Sequence, residues 1–267
     1  MDKTITVVIP SYNRADYIGK AINSVIQQTT KKWKLLILDD ASTDQTIEKV
    51  TPYLKDPRIQ LIQLPENKGI SHVLNKALQS IDTNYFVQLD SDDWLAKDTL
   101  AQFSRAFLRK PNAALYYGNV CLWFQQQDGK WIRKKLIKHR DFPNKYDFLI
   151  YLTYMLHPRC YRTEALRTVG GWDIDDEFGG RIMEDRRICT KLIEKYPFHW
   201  INKVLYHRRK HTLQLTNKSM YQARNKLRKE LVQKYLFKWG NKYRADFGYR
   251  NGLLIVNRLI PNSKTLT

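Results

Sequence analysis

Hydrophobic and polar residues alternate in two rhythms over the first 110 positions. Ile5-Thr6-Val7-Val8-Ile9-Pro10 is a short β-branched run, as a buried strand requires. Residues 15–28 then place Tyr17, Ile18, Ala21, Ile22, Val25 and Ile26 at helical spacing. A second apolar run, Lys34 to Leu38, stops at Asp39-Asp40, and Thr43-Asp44 offers a cap for a helix over 46–54. A strand over 58–64, a helix over 71–80 and a strand over 85–89 complete a β-α-β-α-β-α-β order with short connections. This order predicts an α/β fold, a doubly wound parallel sheet with helices on both faces. Ligands of such sheets bind beyond the carboxyl ends of the strands. Two of these ends, Asp39-Asp40 and Asp90-Ser91-Asp92-Asp93, carry clustered carboxylates.

Beyond residue 110 the rhythm is less regular. Residues 114–123 and 130–136 read as a hairpin around Asp128-Gly129, and 184–196 as a helix with Ile188, Leu192 and Ile193 on one face. Residues 220–239 form the clearest amphipathic pattern. Leu227, Leu231, Tyr235 and Trp239 recur at i+4 steps, Lys and Arg surround them, and Gly240 ends the run. The net charge of +20 is concentrated at the end of the chain, since Lys203 to Thr267 contributes +14 of it. One compact domain with a basic helical C-terminal extension is therefore expected. An apolar content of 43% and an aromatic content of 12% exclude the disordered and fibrous classes. No apolar stretch nears the roughly 20 residues of a membrane span, and no signal-peptide pattern opens the chain. Cys121, Cys160 and Cys189 fall in no metal-ligand spacing. A soluble intracellular protein with reduced thiols is expected.

Three acids as close as Asp90, Asp92 and Asp93 repel one another unless a cation or several donors compensate. A hard divalent ion held by one or two carboxylates and by substrate phosphates would do so; capping of the next helix accounts for one acid, or two. Asp44 or Thr43 reads as a cap. Asp40, at a strand end, is placed to accept from a nucleobase N–H.

Taken together, several segments resemble the inverting family-2 glycosyltransferases of the GT-A fold, of a non-processive bacterial type. They are Val7 to Arg14, Leu38 to Asp44, Asn67-Lys68-Gly69, Leu89 to Asp93, Tyr161 to Leu166, Val169 to Asp173, Glu184-Asp185 and His211 to Thr216. The likeness implies a GT-A domain over 1–216, with a nucleotide-binding half at 1–110 and an acceptor-side half at 111–216, followed by the extension over 217–267. It also implies the site. Pro10, Tyr12, Asn13, Arg14, Asp40, Lys68, Asp90, Ser91 and Asp92 would hold the nucleotide sugar, with Asp40 on the base and Asp90 at the ribose. Asp92 and His211 would ligate Mn²⁺ or Mg²⁺, and Asp185 would be the general base. His157, Gly171, Trp172 and Glu184 would lie on the acceptor side. His157 as an ordinary loop histidine and Trp172 as a core residue are the competing readings. His72, His139, His199 and His207 receive no role.

Two features depart from the family pattern. Leu74-Asn75 stands where many relatives carry Arg-Asn, so Lys68 or the Arg208 to Lys210 cluster is expected to contact the diphosphate. The Gln-x-x-Arg-Trp element of processive synthases is missing, which points to one sugar added per event. A sugar nucleotidyltransferase would open with a Gly-rich phosphate loop, and Ser11-Tyr12-Asn13-Arg14 is not one. A nucleic-acid-binding protein fits the charge but not the acidic strand ends, so no nucleic-acid partner is expected. A catalytically inactive donor-binding homologue is disfavoured by the presence of both Asp92 and Asp185. The expected partners are a nucleotide-diphosphate sugar, most commonly a UDP-sugar, and a glycan or lipid-linked acceptor. The basic tail suggests peripheral attachment to an anionic membrane surface on the cytoplasmic side, testable by liposome sedimentation, with a homodimer contact as the alternative.

Overall fold

The computed structural model describes residues 4–126, 130–210 and 220–262. The first four strands form within a few residues of expectation: β1 (Ile5–Ser11), β2 (Trp33–Asp39), β3 (Ile59–Gln63) and β4 (Tyr85–Gln88). They pair in parallel in the order β3-β2-β1-β4. Side-chain alternation divides the core between two faces. Ile5, Val7 and Ile9 join α1 (Ala15–Ile26) and α4 (Thr99–Arg109) on one face. Val8, Leu36 and Leu38 join α3 (Ile70–Ser80) on the other. The second helix, α2 (Thr46–Val50), is shorter than expected and continues as a 3-10 turn over Thr51–Lys55. Pro52 lacks the N–H that an α-helix needs there.

The second half extends the sheet with mixed polarity. β8 (His157–Arg162) joins β4 antiparallel, and β6 (Leu115–Gln125) runs antiparallel to β8. β9 (Phe198–Lys210) lies parallel to β6, and β5 (Trp94–Leu95) pairs antiparallel with β9. The expected hairpin of β6 and β7 (Trp131–Ile137) forms; its Asp128-Gly129 turn lies outside the described residues. Three further helices are α5 (Lys145–Tyr151), α6 (Thr163–Thr168) and α7 (Glu184–Lys195). Cys121, Cys160 and Cys189 are buried free thiols. Among the described residues no helix is long and apolar enough to cross a membrane.

The helix expected over 220–239 is α8 (Tyr221–Lys238). Leu231, Val232, Tyr235, Leu236 and Trp239 bury into the same core as α7. Its basic residues are not all outward, because Arg224 and Arg228 are buried as well. After Gly240 the extension is not helical. It is an antiparallel hairpin of β10 (Tyr243–Arg250) and β11 (Leu253–Pro261). The reason is local. Asn251 and Gly252, with φ of 52° and 80°, supply the two left-handed positions of a tight hairpin turn.

Candidate functional site

The carboxyl ends of β1, β2 and β4 open into a cleft of about 280 Å³. Pro10, Ser11, Tyr12, Arg14, Asp40, Asn67, Gly69 and Asp90 to Asp93 line it from the parallel half of the sheet. Arg159, Arg181, Glu184, Asp185, Arg186, Arg208 and Arg224 line it from the later elements.

Asp40 is held from several sides. Its N–H donates to the Ser11 carbonyl, and its carboxylate accepts the N–H groups of Lys68 and Gly69, each at 2.8 Å. It thereby fixes the entrance of α3 beside the cleft. Asn13 does not line the cleft. In the left-handed region (φ 51°), it donates its N–H to Ser42 Oγ and accepts the Thr43 N–H, both at 2.8 Å. It shapes the loop that presents Tyr12 and Arg14. Asp44 is the capping acid, accepting from Thr46 N and Ala15 N at 3.0 and 3.1 Å.

Lys68 does not point into this cleft. Its ammonium pairs with Glu66 at 3.0 Å and faces a neighbouring depression beside His72. On this side of the cleft stands Arg181, which the sequence does not single out. Arg181 donates to Asn67 Oδ1 at 2.5 Å and to the Asn67 carbonyl at 2.8 Å, lying across Gly69. Gly69 has φ 90°, and a Cβ there would stand 2.6 Å from Arg181 Cγ, so the position has no room for a side chain. Leu74 is fully buried in the core. Asn75 clasps Trp172 instead, exchanging two 2.8 Å hydrogen bonds with its backbone.

The acid cluster divides by environment. Asp90 accepts from Arg159 Nη2 at 3.1 Å and from Gln88 Nε2 at 3.3 Å, and its other oxygen lies 3.3 Å from His157 Nε2. Burial opposes its ionisation, but the Arg159 guanidinium and His157 hold its carboxyl well below the usual range. Asp93 is buried and accepts the Arg209 N–H at 2.8 Å; burial, then the charges of Asp92 and Asp90, push it well above that range. Ser91 and Asp92 remain on the cleft wall. Among the described residues no group of three His, Cys, Asp or Glu side chains forms a complete metal cage. The residues fit a hard divalent ion that takes the rest of its ligands from phosphate and water. Such an ion would offset the clustered charge of Asp90 and Asp92, with Asp92 as its protein ligand. His211 lies outside the described residues.

Three acceptor-side expectations change. His157 is no loop histidine. It opens β8, is 1% exposed, and stacks on Tyr206 with ring centroids 4.7 Å apart. Burial, then Arg159, lower it to about 4, so the ring is neutral, with Nε2 set between Asp90 Oδ2 at 3.3 Å and Arg159 Nη1 at 3.2 Å. Its place is behind Asp90. Trp172 is 2% exposed among Phe86 and Tyr161, and so belongs to the core. Gly171 adopts φ 65° and lines the depression beside Asn75, away from the cleft.

The base candidate sits at the start of α7. Asp185 is 5% exposed; both of its oxygens accept from Arg186 Nη1 at 2.9 Å, and Arg159 Nη1 stands 3.8 Å away. Burial opposes its ionisation, but Arg186 and Arg159 lower its carboxyl. Arg159 therefore joins Asp90 to Asp185. Glu184, beside it, moves the other way. Burial and then the Asp185 charge raise it from 4.5 to about 7. A raised carboxyl binds its proton more tightly in the folded state, so stability falls as pH rises from 4.5 through 7. Glu184→Gln is expected to raise the melting temperature at pH 8, with the advantage shrinking towards pH 5. A gain of equal size at both pH values would contradict this origin.

Strand alternation decides the fate of the basic run that ends β9. Arg208 faces the cleft. Arg209 turns to the opposite side and lies over Tyr17 and Trp94, each at 5.2 Å, and Trp131 at 5.6 Å. Lys210 lies 5.3 Å over Phe124. Of the three, only Arg208 is directed at the site.

Comparison with known proteins agrees with this geometry. Residues 6–170 match the family described as Glycosyl transferase family 2. Over 119 residues, 44% of this chain and 46% of the relative, the sequence is 37% identical to the Escherichia coli UDP-Glc:alpha-D-GlcNAc-diphosphoundecaprenol beta-1,3-glucosyltransferase WfgD. It is 30% identical over 212 residues to Pasteurella multocida chondroitin synthase, covering 76% of this chain and 20% of that protein. The chain thus spans half or less of the length of these curated relatives. S. aureus TarS 1–349 in complex with UDP-GlcNAc superposes with a TM-score of 0.61 at 17% identity, over 87% of this chain and 71% of that one. Pyrobaculum calidifontis PcManGT, solved with GDP-Man and Mn2+, gives 0.58 at 21% identity, over 88% and 64%. At these identities the structural likeness is one of fold.

Proposed function

Because the chain belongs to glycosyl transferase family 2, we propose that its cleft binds a nucleotide-diphosphate sugar and passes one sugar, with inversion, to a hydroxyl of a glycan or lipid-linked acceptor in surface-polysaccharide synthesis. The observation that carries this reading is the meeting of two acid sites in one cleft: Asp90 to Asp93 at the end of β4 and Asp185 at the start of α7, with Arg159 between them. A UDP-sugar is the favoured donor, in keeping with the names of WfgD and of the TarS complex.

Pro10, Tyr12 and Asp40 form the base-side wall, and Asp90 and Ser91 the ribose side. Arg181 and Arg208 face the space for the diphosphate. Asp185 accepts the proton of the acceptor hydroxyl, whose oxygen attacks the anomeric carbon as the bond to the β-phosphate oxygen breaks. A divalent ion bound at Asp92 would offset the charge that develops on the departing diphosphate. The arginines add fixed positive charge at the same place, ready before the reaction begins. Arg181→Ala is expected to weaken UDP binding about tenfold, as loss of a charge-assisted hydrogen bond does; unchanged affinity by calorimetry would remove Arg181 from the diphosphate site.

The direct test is thermal stability with nucleotides and nucleotide sugars, with and without Mn²⁺ or Mg²⁺. A ligand at 100 times its dissociation constant stabilises by about 2.7 kcal/mol. UDP with metal is expected to shift the melt, and Asp92→Asn to abolish the metal-dependent part. The reading falls if no nucleoside diphosphate shifts it under any of these conditions.

A further inference from the structure

Beside Asp185 lies a second cavity of about 180 Å³, and the charged side chains of its described lining are all arginines. Arg186, Arg208, Arg224, Arg228, His139 and His157 face it, and no Asp or Glu among the described residues does. Three of these arginines, with Met155, also line the main cleft, so the two spaces meet at the wall that holds Asp185. Pro10, Tyr12, Asp40 and Asp92 have no part in the second cavity.

The cluster is short of negative charge. Arg186, Arg224 and Arg228 are each at least nine-tenths buried. Arg186 has the Asp185 carboxylate, and Arg228 donates one N–H to the Leu254 carbonyl. The Nε atoms of Arg224 and Arg228 and the Nε2 of His139 are buried without a hydrogen-bond partner. Burial, then the nearby guanidinium groups, lower Arg228 to about 10 and also lower Arg224. Buried donors are almost always satisfied, and buried like charges are tolerated when a counter-charge completes them. The volume accommodates a handful of water molecules, or one phosphate in their place.

We propose that this cavity binds a phosphate group of the acceptor, and so sets the acceptor hydroxyl beside Asp185. The proposal rests on the reading of Asp185 as the base. Phosphate oxygens match the guanidinium donors in number and direction. The position, next to the proposed base and without Pro10, Tyr12, Asp40 or Asp92 in its lining, assigns the phosphate to the acceptor, with Arg208 shared at the border with the donor diphosphate. Two kinds of acceptor share this chemistry: a lipid-linked diphosphate and a polyol-phosphate chain.

The test is calorimetric titration of the full chain, with UDP and Mg²⁺ saturating, using farnesyl diphosphate and glycerol 3-phosphate as separate probes. One-to-one binding of either is expected to persist under UDP. Tighter binding of the first points to a lipid diphosphate, and of the second to a polyol phosphate. Arg224→Gln is expected to weaken that binding about tenfold or more, and Arg224→Lys to restore part of it. Leu253→Glu, which places a carboxylate on the cavity wall, is expected to weaken it too and serves if the Arg224 variants do not fold. Loss of all probe binding once UDP is saturating would overturn the proposal, as would affinities unmoved by the variants. Failure of UDP itself to bind would instead count against the donor reading, and titration without UDP would still report on the cavity.

Discussion

Asp185→Asn is expected to lower sugar transfer by about 10²- to 10⁴-fold, the usual contribution of a positioned general base. The amide keeps the shape of the side chain but cannot take a proton from the acceptor hydroxyl. Nucleotide-induced stabilisation should survive, because the proposed nucleotide wall lies at the ends of β1, β2 and β4. The structure adds a condition on pH. Arg186 and Arg159 hold Asp185 below the usual carboxylate range, so it is already ionised well below neutrality. An acid limb near pH 7 in the wild-type profile would then belong to Glu184, which ionises at about 7, and Glu184→Gln should remove it. Transfer by Asp185→Asn at near wild-type rates, with the protein folded, would end the assignment.

The second large effect is structural as well as chemical. Arg159 is 2% exposed and lies within 3.1 Å of Asp90 and 3.8 Å of Asp185. Arg159→Met keeps much of the packing volume but leaves two carboxylates without their shared cation. Breaking one side of a buried ion pair costs about 3–5 kcal/mol, which corresponds to a fall in melting temperature of roughly 10 °C for a domain of this size. Adding Asp90→Asn to that variant should recover part of the loss, because the two residues belong to one network. Strictly additive melting temperatures would show that Arg159 acts through packing alone.

Much of the site could be read along the chain, because the acids stand at strand ends and the strands announce themselves. β1 to β4 are short apolar runs, and Asp40, Asp90 and Asp92 follow them directly. Residues whose role depends on what folds against them were harder to read. Trp172 looks like an acceptor platform until Phe86 and Tyr161 are seen around it. His157 looks like loop chemistry until β8 is in place behind Asp90. Arg181 and Arg159 were missed for opposite reasons. Arg181 lies in an irregular loop with no spacing to mark it. Arg159 did leave a signal: a charged residue within the otherwise buried strand His157–Arg162 needs a partner. The C-terminal hairpin was also legible, since Asn251-Gly252 is the strongest short hairpin signal there is, and basic composition drew attention away from it.

The core that receives α8 is also the core of α7, the helix that begins with Glu184 and Asp185. The extension and α7 therefore share one core. An engineer who grafted the C-terminal segment of a relative to change the acceptor would also reset the packing under the helix that carries the proposed base. A workable exchange must carry the matching faces of α5 and α7 with α8. A substitution at Leu231 or Tyr235, far in sequence from the cleft, would disturb the core that α7 shares, and so the helix that starts with the proposed base.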